Sequence, residues 1–177
     1  RNAKLVLNQA SEEQTIFLHN EYSGLMQDEM MHILKTLPEG KRQKWVNRKF
    51  SFPSYQVSNY DFSFIRNQGI PAIMETTEAK VRGLVHTSGK RTFVGLNWMP
   101  NPMPKIIQSV SRTKPIVLEN DFKITDSVLL VLPEDMEIES MPSGKTIQFP
   151  FARYICSFKK TGNQILFIRQ YQQNGGV

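Results

Sequence analysis

Along most of this chain apolar side chains alternate with polar ones, the period of a half-buried β-strand. Residues 4–8 and 14–22 show it first, with Ile16 and Leu18 on one side of the second segment and Thr15 and Phe17 on the other. The polar stretch at 8–13 between them predicts a hairpin loop. The pattern returns after residue 52, where Tyr60, Phe62 and Phe64 occupy every second position. Asn67-Gln68-Gly69 predicts a turn, and residues 70–74 start another strand with Pro71 near its beginning, where a missing donor is tolerated. Residues 79–85 and 91–96 flank His86-Thr87-Ser88-Gly89-Lys90, a hairpin with a glycine-containing loop. The longest apolar run is Val128-Leu129-Leu130-Val131-Leu132. Shorter runs follow at 136–139 and 146–149, separated by Pro133 and by Met141-Pro142-Ser143-Gly144. Segments 152–158 and 164–171 close the chain, joined through Lys160-Thr161-Gly162-Asn163. Short apolar runs punctuated by Pro, Gly and Ser predict an antiparallel sheet.

One stretch has a different period. Met26, Met30, Ile33 and Leu37 are spaced by four, three and four residues, one stripe of a helix. Ser23 is placed to cap it, and Asp28 and Glu29 suit the positive end of its dipole. The methionine stripe reads as a core face, with an adaptable binding groove as the alternative, and His32 lies opposite it, in solvent. Thr36-Leu37-Pro38-Glu39 has the form of a capping box with proline in the first turn, so a second helix is expected from there toward Phe50. Trp45 and Val46 are its buried anchors, and Gly40 weakens it. The expected fold is mainly β, an antiparallel sandwich-like architecture with a helical pair near residues 24–49. Two layers are expected because the runs at 128–132 and 165–168 are apolar on both faces. A single domain over 1–177 is favoured. Trp98-Met99-Pro100-Asn101-Pro102-Met103-Pro104 is the clearest break, and a boundary between two sub-lobes near 100–104 is the alternative.

Composition changes this picture in one place. The net charge is +6, and Lys41, Arg42, Lys44, Arg48 and Lys49 supply five positive charges with no acid among them, so that the chain without these five is at +1. With Trp45 they form a candidate interaction surface for phosphate or another anionic surface. The alternative is a solvated helix face whose long stems cover apolar surface. No further basic stripe, stacking aromatics or named motif joins them, so specific nucleic-acid binding is not expected. Five consecutive apolar residues fall far short of the ~20 a membrane helix needs. The single cysteine excludes an internal disulfide framework. The sequence starts Arg1-Asn2-Ala3-Lys4 without Met or an apolar leader and stops at Gly175-Gly176-Val177, which reads as a fragment.

Candidate chemistry is sparse. A nucleophilic cysteine needs a helix N-terminus or a histidine beside it, whereas Cys156 sits in mid-strand between Tyr154 and Phe158 and reads as buried and inert. His19, His32 and His86 are scattered and lack the spacing of a zinc site. Glu137 and Glu139 flank Ile138 as an exposed strand face does, and neither a calcium loop nor a catalytic carboxylate pair follows from the acidic clusters. Lys160-Thr161-Gly162 matches a short motif of penicillin-recognising enzymes, but its partner Ser-x-x-Lys is missing. Gly144-Lys145-Thr146 ends like a phosphate-binding loop, yet position 139, where the first glycine belongs, holds Glu139. No catalytic, cofactor-binding or metal-binding residue is assigned.

The order Arg112-x-x-Pro115-Ile116-Val117-Leu118, followed by Leu132-Pro133-Glu134-Asp135-Met136-Glu137-Ile138-Glu139-Ser140-Met141-Pro142, resembles the C-terminal part of a bacterial family. Its members, common in Bacteroides and relatives, carry a transglutaminase-like core flanked by β-rich domains of unknown function. The family's following Phe-Gly-x-Tyr turn reads here Phe151-Ala152-Arg153-Tyr154, without the glycine. The resemblance is strongest over 110–177. It implies that the catalytic Cys, His and Asp lie in a core domain preceding residue 1, and none of them maps onto this chain. It also implies an extracytoplasmic location. The function expected on this basis is a non-catalytic accessory or interaction domain attached to a transglutaminase-like, peptidase-like core in the same polypeptide. The alternative is a stand-alone carbohydrate- or peptide-binding module using Trp45, Trp98 and the tyrosines. An enzyme with an unrecognised site is the third class, marked by a deep pocket with convergent polar groups.

Overall fold

A computed structural model describes residues 1–67, 69–100 and 117–176. Most of the proline-rich break, from residue 101 on, the stretch 105–110 and the Arg112-to-Ile116 part of the motif lie outside the described residues. So does most of the alternative sub-lobe boundary.

Among the described residues ten strands and two helices follow in the order β1 (Asn2–Val6), β2 (Glu13–Ser23), α1 (Leu25–Thr36), α2 (Glu39–Val46), β3 (Ser54–Asn67), β4 (Ile70–Arg82), β5 (Val85–Ser88), β6 (Arg91–Val94), β7 (Phe122–Val131), β8 (Lys145–Phe149), β9 (Ala152–Thr161) and β10 (Gln164–Gln173). Eight strands form one sheet in the order β3-β4-β2-β1-β7-β10-β9-β8, and β5 and β6 form a separate hairpin. The fold is mainly β and sandwich-like, with a helical pair, as the alternation indicated. Within it one junction departs from the antiparallel expectation: β1 runs parallel to β7.

Register gathers the apolar phase of every strand onto one face. Ala3 and Leu5 stand opposite Leu18 and Ile16 on one side and opposite Val128 and Leu130 on the other. Leu130 and Val128 in turn meet Ile165 and Phe167, and Ile16 meets Ala79. All of these are buried. The second layer is irregular. Val46 at the end of α2, Phe50 and Phe52 after it, Leu84 before the β5–β6 hairpin, Trp98, Met99 and Leu132 join the same core, with Met136, Ile138 and Met141 packed against it. Phe52 lies 4.9 Å from Trp98, ring centre to ring centre. Each such side chain contributes about 1.5–3 kcal/mol through burial.

Several local expectations are corrected. Residues 70–74 and 79–82 belong to one long strand, β4, and the hairpin is confined to Val85–Val94. Residues 136–139 form no strand; their apolar side chains serve as covering layer. Helix α1 is capped by Gly24 at φ 60°, one residue after the expected Ser23, because β2 runs through Ser23 and the chain must then turn sharply. The Thr36 capping box is not made: its hydroxyl donates back to the His32 carbonyl (2.8 Å), and α2 starts after Pro38 without a side-chain cap. Of the methionine stripe, only Met30 is buried. No helix among the described residues is long and apolar enough to cross a membrane.

Candidate functional site

Two charged clusters lie on the inner face. The first is built on β2 and β4, whose register sets Asn20 opposite Glu75. Lys49, just after α2, reaches down to the Glu75 carboxylate. The same oxygen accepts from Asn20 Nδ2 (2.9 Å) and the Tyr22 hydroxyl (2.5 Å), and Thr77 donates to the other oxygen (3.3 Å). The Lys49 ammonium also faces the rings of Tyr22 (4.8 Å), Trp45 (5.0 Å) and Phe62 (5.7 Å), a cation–π environment. Burial alone raises the Glu75 pKa, but the Lys49 charge and the hydrogen bonds from Asn20, Lys49 and Tyr22 outweigh it and hold the carboxyl below its ordinary value. Burial lowers the Lys49 pKa, with the Glu75 charge opposing. Burial, with the neighbouring Glu75 charge, raises that of Tyr22.

The second cluster joins β7 and β10, where Asp126 stands opposite Arg169. Arg169 grips the Asp126 carboxylate through Nε (2.9 Å) and Nη2, and its other donors meet Asn97 Oδ1 (2.6 Å) and the Met99 carbonyl (3.2 Å). Arg1 approaches the same carboxylate through Nε (2.7 Å) and Nη2 (2.9 Å). Burial pushes the Asp126 pKa up, and the Arg1 and Arg169 hydrogen bonds and charges bring it below its ordinary value.

This second cluster is the floor of a groove of about 620 Å³, a size that suits a ligand or a peptide side chain. Its outer wall is apolar: Ile147 and Phe149 of β8 and Phe151 of the following turn. Phe149 and Phe151 are stacked at 5.8 Å and 12°, and each is about half exposed, at 53% and 52%. Tyr171 also lines the groove; it is 7% exposed and its hydroxyl has no hydrogen-bond partner. A concavity of about 610 Å³ lies on the opposite face of the sheet, lined by Phe17, Leu129 and Leu166 with Lys4, His19 and Glu78.

The candidate surface at 41–49 is divided by the structure. Lys41, Lys44 and Arg48 are exposed. Arg42 turns in to donate to the Leu34 carbonyl (3.0 Å), Lys49 is taken by Glu75, and Trp45 packs against the core. Trp98 is buried, so the two tryptophans make no exposed platform. Cys156 is half-buried where burial was expected, on the face that packs against the core. No group of His, Cys, Asp and Glu that could hold a metal occurs among the described residues.

Sequence reasoning passed over Glu75, Asp126, Arg169 and Tyr171. The signal for the first three is a charge in the apolar phase of a strand: Ile73-Glu75-Thr77-Ala79-Val81, Ile124-Asp126-Val128-Leu130, and Ile165-Phe167-Arg169. Such a residue must be paired in the interior.

Among the described residues these features define a mainly β, sandwich-like fold with buried ion-pair clusters at Glu75 and at Asp126 and a concavity on each face of the sheet. Residues 91–177 match the family model described as a domain of unknown function with a solved structure (DUF3858). The match covers just under half of the chain, from β6 through β10; the helices and β1–β5 precede it. No curated protein and no solved structure matches the chain.

Proposed function

We propose that the chain is a non-catalytic accessory domain that docks, positions or supports a transglutaminase-like, peptidase-like core in the same polypeptide, outside the cytoplasm. The location and the nature of the core rest on the motif resemblance over 110–177 alone. The docking role is carried by one observation, the outward face of the wide sheet. There Val6 and Phe17 are each 48% exposed, and Phe17, Leu129 and Leu166 line one concavity, with Lys4 standing between Phe17 and Leu129. Exposed apolar side chains gathered in one concavity mark a surface that a partner covers. The ionisable side chains of the interior also favour a scaffold, because Glu75, Lys49, Asp126 and Arg169 spend their charges on one another.

The test is to express the chain with and without its upstream neighbour and to introduce Phe17→Asp and Leu166→Asp. Both variants keep the fold and weaken association with the core. Absence of an encoded transglutaminase-like domain, or peptide hydrolysis or cross-linking by the isolated chain, refutes the proposal. The alternative of a peptide- or carbohydrate-binding module is favoured by the groove beside β8, on the other face.

A further inference from the structure

β8 is the last strand of the large sheet. Among the described residues nothing pairs with its outer edge, so alternate residues turn an N–H and a C=O toward that side. Folds usually blunt such an edge with charge, proline or a bulge. Here Lys145 and Pro150 stand at the two ends, while Thr146-Ile147-Gln148-Phe149 between them is uncharged, and every residue of β8 is exposed. The inward-facing side chains of this edge, Ile147 and Phe149, are the open wall of the groove.

Charge adds a second, independent observation. From Ser140 to Val177 there is no Asp or Glu, while Lys145, Arg153, Lys159, Lys160 and Arg169 are all present. The basicity of the chain therefore has two centres, the segment 41–49 and this C-terminal ribbon. At the groove, Asp126 is already held by two guanidinium groups, so the site carries excess positive charge. The third observation is the Tyr171 hydroxyl, buried, unpartnered and in the groove lining. A buried hydroxyl without a partner costs about 1–3 kcal/mol, which an incoming polar atom recovers.

We propose that β8 and the groove beside it bind an extended acidic peptide as an added β-strand. A large apolar side chain of that peptide fills the space against Phe149 and Phe151, and its acidic group answers the charge of Lys145, which shares the face of Ile147 and Phe149. Backbone pairing gives affinity, and the groove selects the side chain. This site is on the opposite face from the docking surface above and does not depend on it.

Fluorescence anisotropy on the full chain tests it with one labelled, end-blocked octapeptide that alternates threonine and phenylalanine and carries two glutamates. Three comparison probes accompany it: a lysine-for-glutamate version, a version N-methylated at alternate residues, and a single-stranded oligothymidine. The expected result is saturable binding of the glutamate peptide. Binding weakens roughly tenfold for Phe149→Ala and Phe151→Ala, and severalfold for Tyr171→Phe. The N-methylated probe loses at least tenfold because it cannot pair with the edge. The lysine version binds more weakly, by a margin that shrinks as salt rises. Both phenylalanines are exposed, so these variants stay folded by circular dichroism. The proposal is overturned by no saturable binding up to about 1 mM, by equal affinity for the N-methylated probe, or by unchanged affinity in the folded phenylalanine variants. Tighter binding of oligothymidine through the same two phenylalanines overturns it in favour of a nucleic-acid surface.

Discussion

Glu75 occupies a position that β4 otherwise gives to Ile73, Ala79 and Val81, and its cost is met by Lys49, Asn20, Tyr22 and Thr77 together. Removing one member leaves an uncompensated charge. Lys49→Met is therefore expected to destabilise the fold by about 3–5 kcal/mol, read from urea or guanidinium midpoints. The double change Lys49→Met with Glu75→Leu is expected to recover most of that loss, since apolar replacement of a buried pair is often neutral. Acid response follows from the same carboxylates. Glu75 and Asp126 both titrate below their ordinary values in the fold. Their contribution is complete above the unfolded-chain values, about 4 to 4.5, and drains away as pH falls through the depressed folded values. Stability is thus expected to fall steeply below about pH 4.5, and Asp126→Asn is expected to flatten that limb while lowering stability at neutral pH. A limb of unchanged slope in Asp126→Asn counts against this assignment. Neither cluster is found by local motif search, because the partners come from strands and loops far apart in the chain. What is legible is only that Glu75, Asp126 and Arg169 break an apolar phase.

Strands were readable where their alternation is long and their turns are strong. β2 and β9 follow directly from Ile16 and Leu18 and from Tyr154 and Cys156, and β10 from the long segment 164–171 that follows the turn at Gly162. Residues 136–139 show why the rest was not. Met136 and Ile138 have strand-like spacing, yet their side chains pack against the core as part of its covering layer and the segment forms no ladder. Caps failed for a similar reason: the long β2 consumes Ser23 before α1 can use it. At the start of β8, Gly144 is required by packing, since a Cβ there would come within 2.9 Å of the Cys156 carbonyl oxygen. Gly144→Ala is expected to cost about 1–3 kcal/mol and to loosen β8 first, seen as faster amide exchange at Thr146–Phe149 than at β10. Equal protection in the variant and the parent contradicts this. For α2 and the residues after it, the split of the basic set leaves Lys41, Lys44 and Arg48 in solvent. The expected outcome is weak binding to duplex DNA that is lost by about 200 mM salt, and tight binding at that salt contradicts it.

At the scale of the whole molecule the sheet is two half-sheets sewn together by one short strand. β3, β4 and β2 form one half, β7, β10, β9 and β8 the other, and β1 hydrogen-bonds to both. The family match over 91–177 takes in the second half without β1. The parallel pairing of residues 2–6 with 127–131 was beyond sequence reading, because alternation shows which face a side chain takes and says nothing about which strand lies beside it. Arg1 reinforces the seam through Asp126. Leu5 lies at its centre, fully buried between Ile16 and Leu130. A seam this narrow decides whether the chain unfolds as one unit or as two. We expect one unit, because the covering layer crosses the seam: Phe52 and Trp98 share a core with Val57 on one side and Phe167 on the other. Leu5→Ala is then expected to lose about 2–5 kcal/mol and to lower the protection of β4 and β10 amides together in native-state hydrogen exchange. Lys4→Pro, which removes a ladder donor from a central strand, acts more severely in the same direction. If β10 instead keeps its full protection while β4 loses it, or if thermal unfolding of Leu5→Ala splits into two transitions, the halves are separate lobes and the seam is only a contact between them.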